Sequence, residues 1–348
     1  MRALRLPPIS VENNAVVVSR WSCWLYTFRF KWSLRDTSFC VKLAHMPALA
    51  LTVLVFSIPA TVFWPYFAGL VILAIGLPVI LKNEVLQARG LDKLMPFGRL
   101  FYAVPLAVFA GEHFTLGRLM AGGIPSWIPG HVFWIYFVGV ALVAAALSIV
   151  VKKYSQLAAT LLGTMTLLFV VLLHIPRVAA NPHDRISWAV ALRDLSFSGG
   201  AFAFAGAQRK LQSINTTSLL VTLARYSIAV TVIFFGVEHF LHPEFAPGVP
   251  LAKITPTWIP LRLFWAYLAG AVLFVAGACL FINKKSRLAA TFIGLTILLI
   301  VLAIYLPILI SIPSDIGNGL NYFADTLMFG GTILVLADAL PKENRQTS

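Results

Sequence analysis

The chain is a succession of apolar runs, each about as long as a lipid bilayer is thick, and that succession leaves it very few folds. Runs near 98–114, 129–151, 155–175, 187–207, 219–240, 260–282, 287–309 and 321–340 are long enough to cross a hydrocarbon core of about 30 Å at about 1.5 Å of rise per residue. Two more, 47–64 and 66–81, are divided by Pro65 and read as a tight helical hairpin, and the polar stretch 82–97 after them reads as a surface segment. Ten crossings are expected. Backbone in lipid has to satisfy its own hydrogen bonds, so the fold class is all-α, a polytopic integral membrane protein. With 59% hydrophobic and 11% charged residues, the chain lies far from the roughly 25% charge of soluble domains.

The net charge of +14 would point to nucleic acid if it clustered on a polar domain. Here the basic residues fall in short gaps between apolar runs, which is the pattern that orients membrane helices, so the expected partner is the lipid bilayer and no nucleic acid. Gaps on one side hold Lys82, Arg89, Lys93, Arg99, Lys152, Lys153, Arg209, Lys210, Arg225, Lys284, Lys285, Arg287, Lys342 and Arg345; the other side holds Arg118, Arg177, Arg185, Lys253 and Arg262. The richer side is cytoplasmic by this rule, which puts both termini there.

The apolar runs are also a tandem duplication. Gly111-Glu112-His113-Phe114 returns as Gly236-Val237-Glu238-His239-Phe240, with Arg99 and Arg225 each thirteen residues before the glutamate. Between 127–139 and 258–270, seven of thirteen positions are identical. Further on, Leu157-Ala158-Ala159-Thr160 matches Leu288-Ala289-Ala290-Thr291, His174 matches Tyr305, and Asp194 with Gly199-Gly200 matches Asp325 with Gly330-Gly331. Four crossings per unit give the two repeats the same orientation. The organisation expected is a basic extension at 1–45, a hairpin and surface segment at 46–96, repeat A at 97–207, and repeat B with the C-terminal tail at 208–348. The extension has two readings: a gene-model artefact ahead of Met46, or a cytoplasmic tail that touches anionic lipid.

Soluble catalytic chemistry has little footing. Cys23, Cys40 and Cys279 form no C-x-x-C, and the chain contains no phosphate-cradling Gly-rich loop, H-E-x-x-H or G-x-S-x-G. The ionisable residues inside the runs are the better candidates, because each costs at least about 2.5–3.5 kcal/mol at membrane depth and so is kept for a partner or a function. On the predicted topology one leaflet collects Glu112, His113, His174 and Asp194 from repeat A with Glu238, His239, Tyr305 and Asp325 from repeat B, each Asp facing its own repeat's Glu-His pair. Carboxylate with imidazole suits proton exchange, since imidazole titrates near pH 6.5 and burial raises a carboxyl toward it. The competing reading is that these groups only pin helix packing. No catalytic residue is assigned, and a metal is not expected, because Tyr305 in place of His174 spoils a second equivalent ligand set. Trp127, Phe133, Trp134 and Tyr136, with Trp258, Phe264, Trp265 and Tyr267, read as an interfacial belt that would also suit a quinone head group.

At these residues the sequence resembles the DoxX-like family of small four-helix bacterial membrane proteins. The resemblance covers roughly 97–207 and 218–340 and rests on the four-span unit, Arg99 and Arg225, the glycine-bearing helix ends at Gly111 and Gly236, and the pairs Gly199-Gly200 and Gly330-Gly331. It implies an association with redox chemistry in a bacterial inner membrane: a non-catalytic membrane subunit with oxidoreductase partner subunits and quinone as ligand. A proton-coupled small-solute carrier and a scaffold without chemistry are the alternatives. The chain departs from a typical member in its duplication, its N-terminal hairpin, and Glu-His where many members carry a Lys-containing stretch. Reporter fusions after Lys153 and Lys285 are expected to read cytoplasm, and fusions after Gly122 and Gly248 the outside. Opposite sides for either equivalent pair would dismantle the parallel arrangement.

Overall fold

The computed structural model describes residues 58–207 and 219–342; the basic extension, most of the run 47–64 and the sequence after Lys342 lie outside the described residues. Among the described residues nine long helices follow one another: α1 Ala60–Ile80, α2 Met95–Thr115, α3 His131–Val151, α4 Ser155–Phe169, α5 Arg185–Ala207, α6 Leu219–Leu241, α7 Arg262–Phe281, α8 Ser286–Ile300 and α9 Tyr322–Ala339. With the turns that extend them, eight are long and apolar enough to cross a membrane. The other is α5, which has 23 residues but carries Arg185, Arg193 and Asp194. The chain is therefore a multi-pass membrane protein, all-helical among the described residues apart from one isolated bridge between Phe245 and Ile254.

The hairpin expected around Pro65 does not form. α1 passes through both Pro65 and Pro78 as one helix and runs on through a widened turn at Leu81–Val85. Pro65 sits only six residues into the helix, where little of the hydrogen-bond ladder is lost, and α2 packs directly on it. A Cβ on Gly111 would come within 2.6 Å of the Pro65 Cα.

The helices cross their sequence neighbourhoods when they pack. α2 lies against α1, α3 and α9, while α5 lies against α4, α6 and α9. The first helix of each sequence repeat thus packs on the last helix of the other, α2 on α9 and α6 on α5. The α2–α9 contact is backbone on backbone: a Cβ on Gly331 would meet the Tyr102 nitrogen at 2.5 Å and the Gly98 oxygen at 2.9 Å, and one on Gly98 would meet Leu334 and Val335. Small residues permit such approach where no hydrophobic effect draws helices together. The same register carries Glu112 of α2 to the start of α9, near Asn321.

Local chemistry recurs at matched positions. α4 and α8 both end in widened turns, Val170–His174 and Val301–Tyr305, because Pro176 and Pro307 lack the N–H that would close the ladder there. These turns carry His174 and Tyr305. The last helices are started by carboxylates: Asp184 accepts from the Ile186 and Ser187 N–H groups, and Asp315 from that of Asn318. Lys152 and Tyr154, like Asn283 and Lys285, turn the chain with positive φ.

Gly331→Leu is expected to lower the thermal midpoint in detergent by the equivalent of about 1–3 kcal/mol through overpacking. Gly122→Ala, which meets open space, should leave it unchanged. Equal midpoints for the two variants would show that α2 and α9 do not touch in this way.

Candidate functional site

At the end of α2 the helix geometry turns two adjacent residues to different tasks. Glu112 is buried at 6% exposure, and the Asn321 side chain interacts with its carboxyl. The other carboxyl oxygen, Oε1, has no protein partner. His113 points toward α3, where Gly139 leaves room for it, and its Nδ1–H donates to the Phe109 carbonyl at 2.7 Å.

Beside Glu112, four charged or titratable groups from three elements form one chain. His174 Nε2 donates to Asp194 Oδ2 at 2.8 Å; Arg193 donates through Nε to Asp194 Oδ1 at 3.1 Å and through Nη1 to Asp325 Oδ2 at 2.7 Å. One guanidinium thus bridges carboxylates from the two last helices. Asp325 in turn lies close enough to Glu112 for their charges to repel. The acidic neighbour of Glu112 is therefore Asp325 of α9, where the sequence suggested Asp194, because α2 packs on α9.

The matched residues of the second repeat are built differently. Glu238 is paired: Arg185 Nη1 donates to its Oε2 at 3.0 Å, and the same guanidinium donates to the Pro250 and Leu251 carbonyls at 2.7 and 2.6 Å. It also lies over the Phe245 ring, 4.4 Å from its centre. His239 donates from Nδ1 to the Phe235 carbonyl and accepts at Nε2 from the Gly248 N–H, so both ring nitrogens are engaged. Tyr305 is fully buried and donates to the Pro247 carbonyl at 2.8 Å; it does not bond Asp325 as His174 bonds Asp194. The loop residues Ala246–Pro250 are all buried and plug this side of the bundle. Gly248 fits there at φ +110, with Thr326 2.9 Å from where a Cβ would stand. Beyond the plug, burial holds the Lys253 ammonium below its ordinary range, opposed by Asp315.

The structure thus joins His174, Asp194 and Asp325 through Arg193 into one cluster between α5 and α9, with Glu112 of α2 beside it. It places Glu238, His239 and Tyr305 around the buried loop. Sequence reading gave Arg185 and Asn321 no role at the site. Arg185 was one of the few basic residues on the outer side, and Asn321 lies one helical turn before Asp325; those were the available signals. Among the described residues no three His, Cys, Asp or Glu side chains converge at metal-binding range. The aromatic residues flanking the site are exposed on α3, α7 and the turns that precede them, Trp127 and Phe133 by more than half, as a lipid-facing belt requires. Phe114 stacks on Tyr136 and Phe240 on Tyr267.

Comparison of the chain with protein-family models, with curated proteins and with solved structures finds no match. What the cluster does has to be read from its own chemistry.

Glu238→Gln is expected to destabilise the protein by about 1–3 kcal/mol, the worth of a hydrogen bond to a charged group, since it strips the counter-charge from Arg185. Glu112→Gln removes a buried charge that no guanidinium faces and should leave the thermal midpoint unchanged or raised. The reverse order of stabilities would show that Glu112, not Glu238, is the packing pin.

Proposed function

We propose that the chain is a DoxX-like integral membrane protein that serves as a quinone- or redox-associated membrane subunit, with the cluster around Glu112 exchanging the protons that accompany quinone chemistry. One observation carries this reading: a buried carboxyl whose Oε1 has no protein partner lies beside the chain His174–Asp194–Arg193–Asp325. A group that merely pinned helices would be expected to have its hydrogen bonds satisfied, as Glu238 has. A quinone head group presents carbonyl oxygens, which a protonated carboxyl at Glu112 would donate to, and the adjacent carboxylates would replace the proton given up.

The reading includes two parallel four-helix repeats, α2 to α5 and α6 to α9. Their matched turns, capping carboxylates and widened helix ends support it. It also takes the basic gaps as cytoplasmic, which puts the cluster near the outer leaflet of a cell membrane and the C-terminal end inside. Oxidoreductase subunits are the partners this role calls for.

A proton-coupled small-solute carrier is the second reading. What favours it is the position of Arg193, which ties Asp194 to Asp325 at the interface between repeats, where parallel-repeat carriers hold their sites.

Quinone content decides between them. Protein purified in mild detergent is expected to retain isoprenoid quinone, and Glu112→Gln to lose most of it, about tenfold, at unchanged yield and thermal midpoint. Quinone-free wild-type protein, or equal content in the variant, would reject the quinone reading.

A further inference from the structure

The end of the bundle opposite the cluster holds a second polar site. A cavity of about 40 Å³ is lined by Glu84, Arg99, Lys152 and Asp338, with Phe204 and Val335 as apolar walls. Glu84 pairs with Arg99 at 2.6 Å and with Lys152 at 3.2 Å. The volume accommodates roughly two or three water molecules.

Three helices reach both ends. α2 brings Glu112 to the cluster and Arg99 to the cavity; α5 brings Asp194 and Phe204; α9 brings Asp325 and Asp338. Between the ends their junction is polar as well. Tyr102 of α2 is buried and donates to the Phe197 carbonyl of α5 at 2.7 Å. Thr332 of α9 is fully buried, and its hydroxyl has no protein partner. Both face Gly200, where a Cβ would stand 3.0 Å from the Thr332 hydroxyl oxygen and 3.1 Å from the Tyr102 ring.

Four of the six partnerless buried polar atoms among the described residues lie along this junction; the other two are the hydroxyls of Thr255, in the loop after α6, and Thr326, which faces Gly248. Arg99 Nε, Glu112 Oε1 and Thr332 Oγ1 lie on α2 and α9, and Asn321 Oδ1 lies in the turn that leads into α9. Buried polar groups left unbonded by protein are normally bonded by water. Arg99 and Glu112 are thirteen residues apart, about 20 Å along the helix axis, so these atoms mark out most of a membrane crossing.

The matched junction in the other repeat supplies an internal comparison. Where α2 has Tyr102, α6 has Ile228; where α9 has Asn321, Thr332 and Asp338, α5 has Val190, Ala201 and Ala207. The guanidinium of Arg225 is spent on the Leu280 and Phe281 carbonyls, and Glu238 is held by Arg185. The hydroxyls there have partners: that of Thr231 is bonded to the Leu192 and Ser227 carbonyls, and that of Ser227, which faces Gly199, to the Ala224 carbonyl.

We propose that the junction of α2, α5 and α9 conducts protons through bound water between the carboxylate cluster and the Glu84–Arg99–Lys152–Asp338 cavity, and that the matched junction is sealed. The proposal rests on the reading of Glu112 as a proton-exchanging group, and it extends that group's reach to the opposite face. Each transfer moves one proton and no electron, and the net change is one proton carried across the membrane.

The test uses the full chain in liposomes loaded with a pH-sensitive dye, with a potassium diffusion potential set by valinomycin. Wild-type protein is expected to acidify or alkalinise the lumen, according to the sign of the potential, at several times the rate of protein-free liposomes. Thr332→Val and Glu112→Gln should each reduce that rate about tenfold, while Thr231→Val leaves it unchanged. All variants are first matched for thermal midpoint and monodispersity; Thr332→Ser, which keeps the hydroxyl, is expected to retain the flux and stands in if Val does not fold. Quinone content separates the two proposals: Thr332→Val should keep its quinone while losing flux. Wild-type flux no greater than that of empty liposomes, or equal losses in the Thr332 and Thr231 variants, would overturn the conducting junction whatever the quinone result.

Discussion

Arg193 is the interaction on which the arrangement of the two repeats depends. A carboxylate inside a membrane bundle is tolerated when a counter-charge and hydrogen bonds replace the water it has lost. Arg193 supplies both to two carboxylates at once, Asp194 beside it and Asp325 on the other last helix. Because the guanidinium is planar and its donors are fixed, the bridge sets how α5 and α9 face each other. The glycine contacts then bring α2 onto α9 closely enough for Glu112 to join the group.

The two Glu-His pairs, alike in sequence, are settled in different ways. In the second, Arg185 compensates Glu238, His239 is bonded at both nitrogens, and a buried loop under Tyr305 excludes water. In the first, no guanidinium reaches Glu112 and a short surface helix, Gly117–Met120, stands where the plug would be. Glu238 thus has its charge compensated and Glu112 has not.

Much of the fold was legible in the sequence, because lipid enforces a simple correspondence between apolar length and helix. The runs at 129–151, 187–207, 219–240 and 260–282 lie within two residues of α3, α5, α6 and α7. Pro65 was misleading for a physical reason: near a helix start, with another helix packed on it, proline breaks nothing. Of the site, the residue types and the shared end of the bundle could be inferred from parity of crossings. Pairing could not. Whether Glu112 meets Asp194 or Asp325 depends on which helices touch, and that is decided by Gly98 and Gly331 meeting across α2 and α9.

The sequence by itself thus determined that the chain is helical, carries many runs able to span a membrane, and buries carboxylates beside imidazoles. These follow from local length, periodicity and the cost of charge in lipid. Only the tertiary structure decided that α2 packs on α9 and α6 on α5, that Arg193 joins Asp194 to Asp325, and that Glu238 is satisfied while Glu112 is not. Those facts depend on where backbones can approach each other, and approach between helices distant in sequence is a property of packing that no single run of residues contains.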